Sequence, residues 1–208
     1  MLKSSIELES WLKYKKSVLE GLLEERLIGY LDPGAEEVLN KLNSPPLLLT
    51  TSSCIGRITL VEGEEHWSRK RARVVYKTHD FIEISELNKT LARGFSTLWL
   101  KVSGPIIHFR TPRLACAFYA LSLARKHGFK HSGVVSRHSR LGYSLELMSS
   151  IQMIVPLRLK GVDLFNESKL EILVSEANAL FRESRKRLTD LSQELSETPG
   201  LCGLNTLE

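Results

Sequence analysis

Short apolar runs arrive in pairs along this chain, each pair is split by small or turn-forming residues, and helical stretches lie between the pairs. Residues 47–51 and 55–61 flank Ser52-Ser53-Cys54, and residues 97–102 and 106–110 flank Ser103-Gly104-Pro105. Runs of this length, bounded by turn formers, read as strands. Further strands are expected at 74–78, 134–137, 144–148 and 152–156. Helical periodicity covers 5–29, with Gly29 as its stop, and 82–93, closed by Gly94. Asp32-Pro33-Gly34 is turn chemistry, with Pro33 able to open a short helix running to Lys41. Thr111-Pro112 opens another helix, whose buried face is Leu114, Ala117, Phe118, Leu121 and Ala124 and whose end is Gly128. A long helix spans about 166–194, and 198–208 reads as frayed. The pattern predicts one α+β domain over 1–208, with a mixed or largely antiparallel sheet covered by helices.

The standard phosphate and nucleotide fingerprints are missing: there is no GxGxxG after a strand and no GxxxxGK[ST]. The fold is therefore expected to be non-Rossmann. HExxH and GxSxG are also absent, which removes the commoner hydrolase classes. Cys54, Cys116 and Cys202 are odd in number and widely spaced. They indicate neither a zinc site nor a disulfide framework, and point to a reducing, cytoplasmic setting. The N-terminus is amphipathic and charged, unlike a signal peptide, and no apolar run is long enough for a membrane span. With 42% hydrophobic residues a substantial core is available. The formal charge of +5 is compatible with an anionic partner without demanding one.

Polar residues concentrate at strand ends and turns. In Thr50-Thr51-Ser52-Ser53-Cys54-Ile55-Gly56-Arg57, hydroxyls, a permissive glycine and an arginine can hold a carboxylate or phosphate. The same residues also suit an ordinary hairpin turn. Cys54 is a candidate nucleophile or simply a small hydrophobe. Lys101 and His108 sit on two strands joined by a tight connection, where they can line one cleft or lie solvated on a sheet. Gly128-Phe129-Lys130-His131-Ser132-Gly133 suits an anionic ligand or a helix-to-strand link. Basic residues recur, among them Lys13, Lys15, Lys16, Arg69, Lys70, Arg71 and Arg73; converging, they would contact phosphates, and separately they are solvated faces. Trp67, Tyr76 and Tyr143 lie near such positions and are candidates to stack on an extruded base or to pack in the core.

Taken in order, LNSPPLLLTTSSCIGRI (42–58), LWLKVSGPIIHFRTP (98–112) and ALSLARKHGFKHSGVVS (120–136) resemble the wybutosine-synthesis methyltransferase family. Members carry a Ser-Ser-Cys-Ser-Gly-Arg turn, a Lys-x-x-x-Pro-x-x-His strand pair and a Gly-Phe-x-x-Ser-Gly link. SLELMSSIQMIVPL (144–157) and EANALFRESRKRL (176–188) extend the likeness, which covers about residues 29–190. The fourth position of the first motif is Ile55 here, in place of serine, and residues 1–28 follow the family pattern poorly.

The resemblance implies methyl transfer from S-adenosylmethionine to a ring nitrogen of the tricyclic wyosine-type base beside the anticodon of phenylalanine tRNA. It implies a donor-binding set of Ser52, Ser53, Cys54, Gly56, Arg57, Ser132 and Gly133, catalytic roles for His108, Lys101 and His79, and no metal. On this reading Arg57 and the Ser52-Ser53 turn grip the donor carboxylate or the tRNA backbone. His108, with His79, orients the tricycle or takes its proton, and Lys101 polarises a ring carbonyl. The rival readings are a noncatalytic RNA-binding module and a small-molecule enzyme pairing His108 with Cys54.

Overall fold

The computed structural model describes residues 7–27 and 34–204. Inter-residue contacts divide the chain into two compact units: 1–55, 105–150 and 186–208 form the first, and 56–104 and 151–185 the second. Each has its own antiparallel sheet and its own apolar core. The expected α+β class is observed, with the strands distributed over two sheets.

In the first unit, β1 (Leu49–Cys54), β5 (Ile106–Thr111), β7 (Gly142–Met148) and β6 (Gly133–His138) form a sheet in that order. Alternation along β5 turns Ile107 and Phe109 inward, while Ile106, His108 and Arg110 lie on the less buried face. The inward residues pack with Ala117, Ala120, Leu121 and Ala124 of α4 (Leu114–Lys126), as the helical spacing of that segment requires. Phe118, expected in the same face, is exposed. Helix α1 (Leu8–Leu27) buries Trp11, whose indole Nε1 donates to the Pro46 carbonyl. One turn later the Lys15 ammonium donates to the carbonyls of Asn43, the last residue of α2 (Ala35–Asn43), and of Pro45 just beyond it. Lys15 is thus not available to a polyanion, and its burial pushes its pKa down to about 8. Residues 5, 6, 28 and 29 of the expected first helix, and Pro33, lie outside the described residues.

In the second unit, β3 (Arg73–Thr78), β2 (Arg57–Glu62), β4 (Leu98–Ser103), β8 (Gln152–Leu159) and β9 (Val162–Asp163) form the other sheet. Ile58 and Leu60 of β2 and Leu98, Leu100 and Val102 of β4 face a core with Leu87 of α3 (Ile84–Leu91). Leu170, Val174, Ala177 and Phe181, from the first part of α5 (Glu167–Glu197), complete it. The short β9 was not foreseen; Lys160 and Gly161 both have positive φ, and this tight turn folds it back on β8.

Two expectations need correction. Ser52, Ser53 and Cys54 do not form a hairpin turn: they are the end of β1, which pairs with β5, whereas β2 pairs with β3 and β4. The chain bends at Gly56 instead, where φ is 101° and a Cβ would stand 3.2 Å from the Ser103 carbonyl oxygen and the Phe181 ring. The second correction concerns cysteine and the C-terminal segment. Cys116 and Cys202 form a disulfide across 86 residues of sequence, and both are fully buried. Residues 200–202 form a short 3-10 helix, and the Cys202 carbonyl accepts from Leu47 N, so this stretch is anchored where fraying was expected. Residues 205–208 lie outside the described residues.

Candidate functional site

Two arrangements collect the polar residues singled out above, one on each sheet. On the first sheet, β1 carries a bulge: Thr50 lies opposite Phe109, and Ser52 opposite His108. The extra residue, Thr51, lets Thr50 face the core while Ser52 stands on the outer face beside His108. Thr50 is held there by Asn43, which accepts from its backbone N–H and donates to its hydroxyl. The Ser52 hydroxyl is 2.9 Å from His108 Nδ1, and His108 Nε2 is 2.9 Å from Glu146 Oε2. A carboxylate only accepts, so Nε2 carries the proton and Nδ1 accepts from Ser52. Across the sheet, Glu146 lies opposite Gly133 on β6. Ser52, His108, Glu146 and Gly133 therefore form one row over four strands. A Cβ on Gly133 would have no atom within 4 Å, so the row is open at that end.

Both ring nitrogens of His108 are engaged in this row, which leaves none for Cys54; Cys54 pairs instead with Ile106. Ser132 is buried, its hydroxyl donating to the Phe129 carbonyl and accepting from Met148 N. Its visible work is to hold the link between α4 and β6. Ser53 lies opposite Ile107 near the end of β1.

On the second sheet, the outer face of β2 and β4 presents Arg57, Thr59, Lys101 and Ser103, with Lys77 on β3 opposite Thr59. The loop between β2 and β3 adds His66, Trp67 and Arg69, and the half-open cleft has a volume of about 210 Å³. The loop is internally braced. Arg71 pairs with Glu65 at 2.6 Å, Arg73 with Glu62 at 3.0 Å, and Trp99 Nε1 donates to the Gly63 carbonyl. His66 stacks between Trp67 and Trp99, with centroids 4.9 and 4.4 Å away. Burial, and then the Lys101 charge, hold its pKa below the usual histidine value. Its buried Nδ1 has no hydrogen-bond partner among the described residues. His79, also in this unit, donates from Nδ1 to the Gly56 carbonyl, and its own carbonyl accepts from the Arg185 guanidinium. These bonds fix the bend at Gly56.

Within the units, then, Arg57 and Lys101 share one cleft, while Ser52 and His108 share one row. Sequence reasoning missed Glu146, Lys77 and His66. Alternation along GYSLELM puts Glu146 on the face opposite the buried Leu145 and Leu147, so its side was readable, but its partner was not. Lys77 and His66 gave no local signal; cross-strand pairing and a folded loop bring them to the cleft.

The family model for methyltransferase TYW3 matches residues 13–197. The chain belongs to the TYW3 methyltransferase family. An Aeropyrum pernix protein named tRNA(Phe) 7-((3-amino-3-carboxypropyl)-4-demethylwyosine(37)-N(4))-methyltransferase is 51% identical over 181 residues, covering 87% of this chain and 96% of the relative. A Saccharolobus solfataricus protein of the same name is 31% identical, covering 90% of both chains. Among solved structures, a Pyrococcus horikoshii protein matches with a TM-score of 0.81 at 28% identity, over 90% of this chain and 97% of that one. An Aeropyrum pernix protein matches with a TM-score of 0.75 at 48% identity, over 80% and 98%. As a member of the TYW3 family the chain is a methyltransferase, which favours the enzyme reading over a noncatalytic RNA-binding module.

Proposed function

We propose that this TYW3 family member methylates N4 of the 7-(3-amino-3-carboxypropyl)-4-demethylwyosine base at position 37 of phenylalanine tRNA, with S-adenosylmethionine as donor, in the cytoplasm. The supporting observation is its 51% identity, over nearly the whole length of both chains, to a relative bearing that name. No helix among the described residues is long and apolar enough to cross a membrane.

The Ser52–His108–Glu146 row fits the donor better than the cationic cleft does. S-adenosylmethionine, when bound, supplies an electrophilic methyl group on a positively charged sulfonium. A carboxylate favours such a ligand, whereas like charge opposes it. Glu146 Oε1, which has no bonded partner among the described residues, can accept from an ammonium or a ribose hydroxyl, and Gly133 leaves space beside it. Methylation of a ring N–H also requires that its proton leave. With Nε2–H donated to Glu146, His108 Nδ1 presents a lone pair. The Ser52 hydroxyl can take the ring proton as it passes its own to Nδ1. Much of the remaining rate comes from holding the reactants in line.

Incubation with methyl-labelled donor and hypomodified phenylalanine tRNA, followed by nucleoside analysis, tests the reading. The expected product carries one labelled methyl on the tricyclic base. Donor binding without transfer to that nucleoside would contradict it.

A further inference from the structure

The cationic cleft of the second unit has no role in the methyl-transfer chemistry just described, yet it is a built site. Four cations converge on it, Arg57, Arg69, Lys77 and Lys101, and none of the four is in an ion pair among the described residues. Their neighbours on the same loop and strand, Arg71 and Arg73, are neutralised by Glu65 and Glu62. The cations that line the cleft thus stay uncompensated. Beside it stands Trp67, 70% exposed. Its ring is braced by His66, which packs in turn on Trp99. The loop is shaped in advance: at Gly63 φ is 123°, and a Cβ there would stand 2.2 Å from the Arg71 carbonyl oxygen.

Unpaired cations next to an exposed, supported indole are the two components of single-strand nucleic-acid recognition, a charged track for the backbone and a platform for a base. We propose that this cleft binds an unpaired ribonucleotide of the RNA substrate, with its phosphate on Arg57, Lys77 and Lys101 and its base stacked on Trp67. This inference rests on the tRNA reading above and deepens it: Arg57, grouped with the donor-binding residues by the family resemblance, is assigned here to RNA. Arg69 at the cleft wall continues the cationic track toward the next phosphate.

The test uses the full chain and two probes, a fluorescein-labelled phenylalanine tRNA transcript titrated at several salt concentrations and S-adenosylmethionine titrated alone. Trp67→Ala should weaken RNA binding roughly tenfold, the size of one lost base stack, and Trp67→Phe should retain it. Arg69→Ala/Lys77→Ala should flatten the dependence of log affinity on log salt by about 1.4, or 0.7 per single-strand phosphate contact. Donor affinity should stay within about twofold of wild type in all three, with unchanged melting, because the three side chains are exposed. RNA affinity and salt slope equal to wild type, or loss of donor binding in place of RNA binding, would overturn the assignment. Wild-type methylation of the tRNA combined with that outcome rejects the cleft alone. The expected binding pattern without any methyl transfer rejects the proposed reaction and leaves the cleft standing.

Discussion

At the scale of single residues, His108 has the most to lose by substitution, because both of its nitrogens are committed and each bond has a distinct purpose. On the proposed mechanism, replacing it with alanine removes the lone pair that takes the proton, and the rate should fall by about 10² to 10⁴ while RNA and donor affinities hold. Glu146→Gln should both raise the donor KM and lower kcat, because one carboxylate oxygen orients the imidazole and the other is free for the donor. Steady-state kinetics with varied donor checks the split; an unchanged KM would remove Glu146 from the donor site. Gly133→Val is the complementary probe. The position has no neighbour within 4 Å of a Cβ and lies in a strand, so valine should leave the melting temperature unchanged or slightly higher. By filling the open end of the row it should weaken donor binding by about tenfold or more. Of these residues His108 was visible in the sequence through its motif. Glu146 was not, because its role depends on which strand lies beside it.

Among the elements, the helices were legible and the strand pairing was not. Amphipathic spacing marks α4 and α5 from the sequence alone, to within a few residues at the ends. By contrast, 47–51 and 55–61 look like partners because they are adjacent, and only the bulge at Thr51 and the left-handed bend at Gly56 send them to different sheets. Nor did the sequence distinguish Lys15 from its solvated neighbours Lys13 and Lys16; an ammonium capping two carbonyls beside the end of α2 is a tertiary event. This burial has a pH signature. Lys15 has an ordinary pKa of 10.5 unfolded and about 8 in the fold, so between these values the unfolded chain holds a proton that the native chain has shed. Stability should therefore rise as pH increases from about 8 to about 10.5, by up to roughly 3 kcal/mol from this group. Denaturant melts across that range should show the rise in wild type and not in Lys15→Met. The same slope in both would place the titration elsewhere.

For the whole molecule, the covalent link between α4 and the segment following α5 was the feature furthest from the sequence reading. Three scattered cysteines gave no pattern, and only folding brings Cys116 and Cys202 into contact. Closing a loop of 86 residues restricts the unfolded chain by about 4–5 kcal/mol in the entropic account. Cys116→Ser/Cys202→Ser should therefore melt roughly 10 to 15 °C lower, at 2–4 °C per kcal/mol for a chain of this size. Calorimetry of the wild type with and without reductant isolates the covalent contribution; equal melting of the oxidised and reduced forms would mean that the pair acts as packed thiols and not as a staple.

His108 Nδ1 is the proposed acceptor of the proton that leaves the tRNA base. Single-turnover methyl transfer to hypomodified phenylalanine tRNA, at saturating donor and enzyme, isolates that step from binding. Wild type should transfer one methyl per tRNA, and His108→Ala should do so at least a hundredfold more slowly with both ligands still bound. A His108→Ala enzyme that transfers methyl at the wild-type rate would contradict the account.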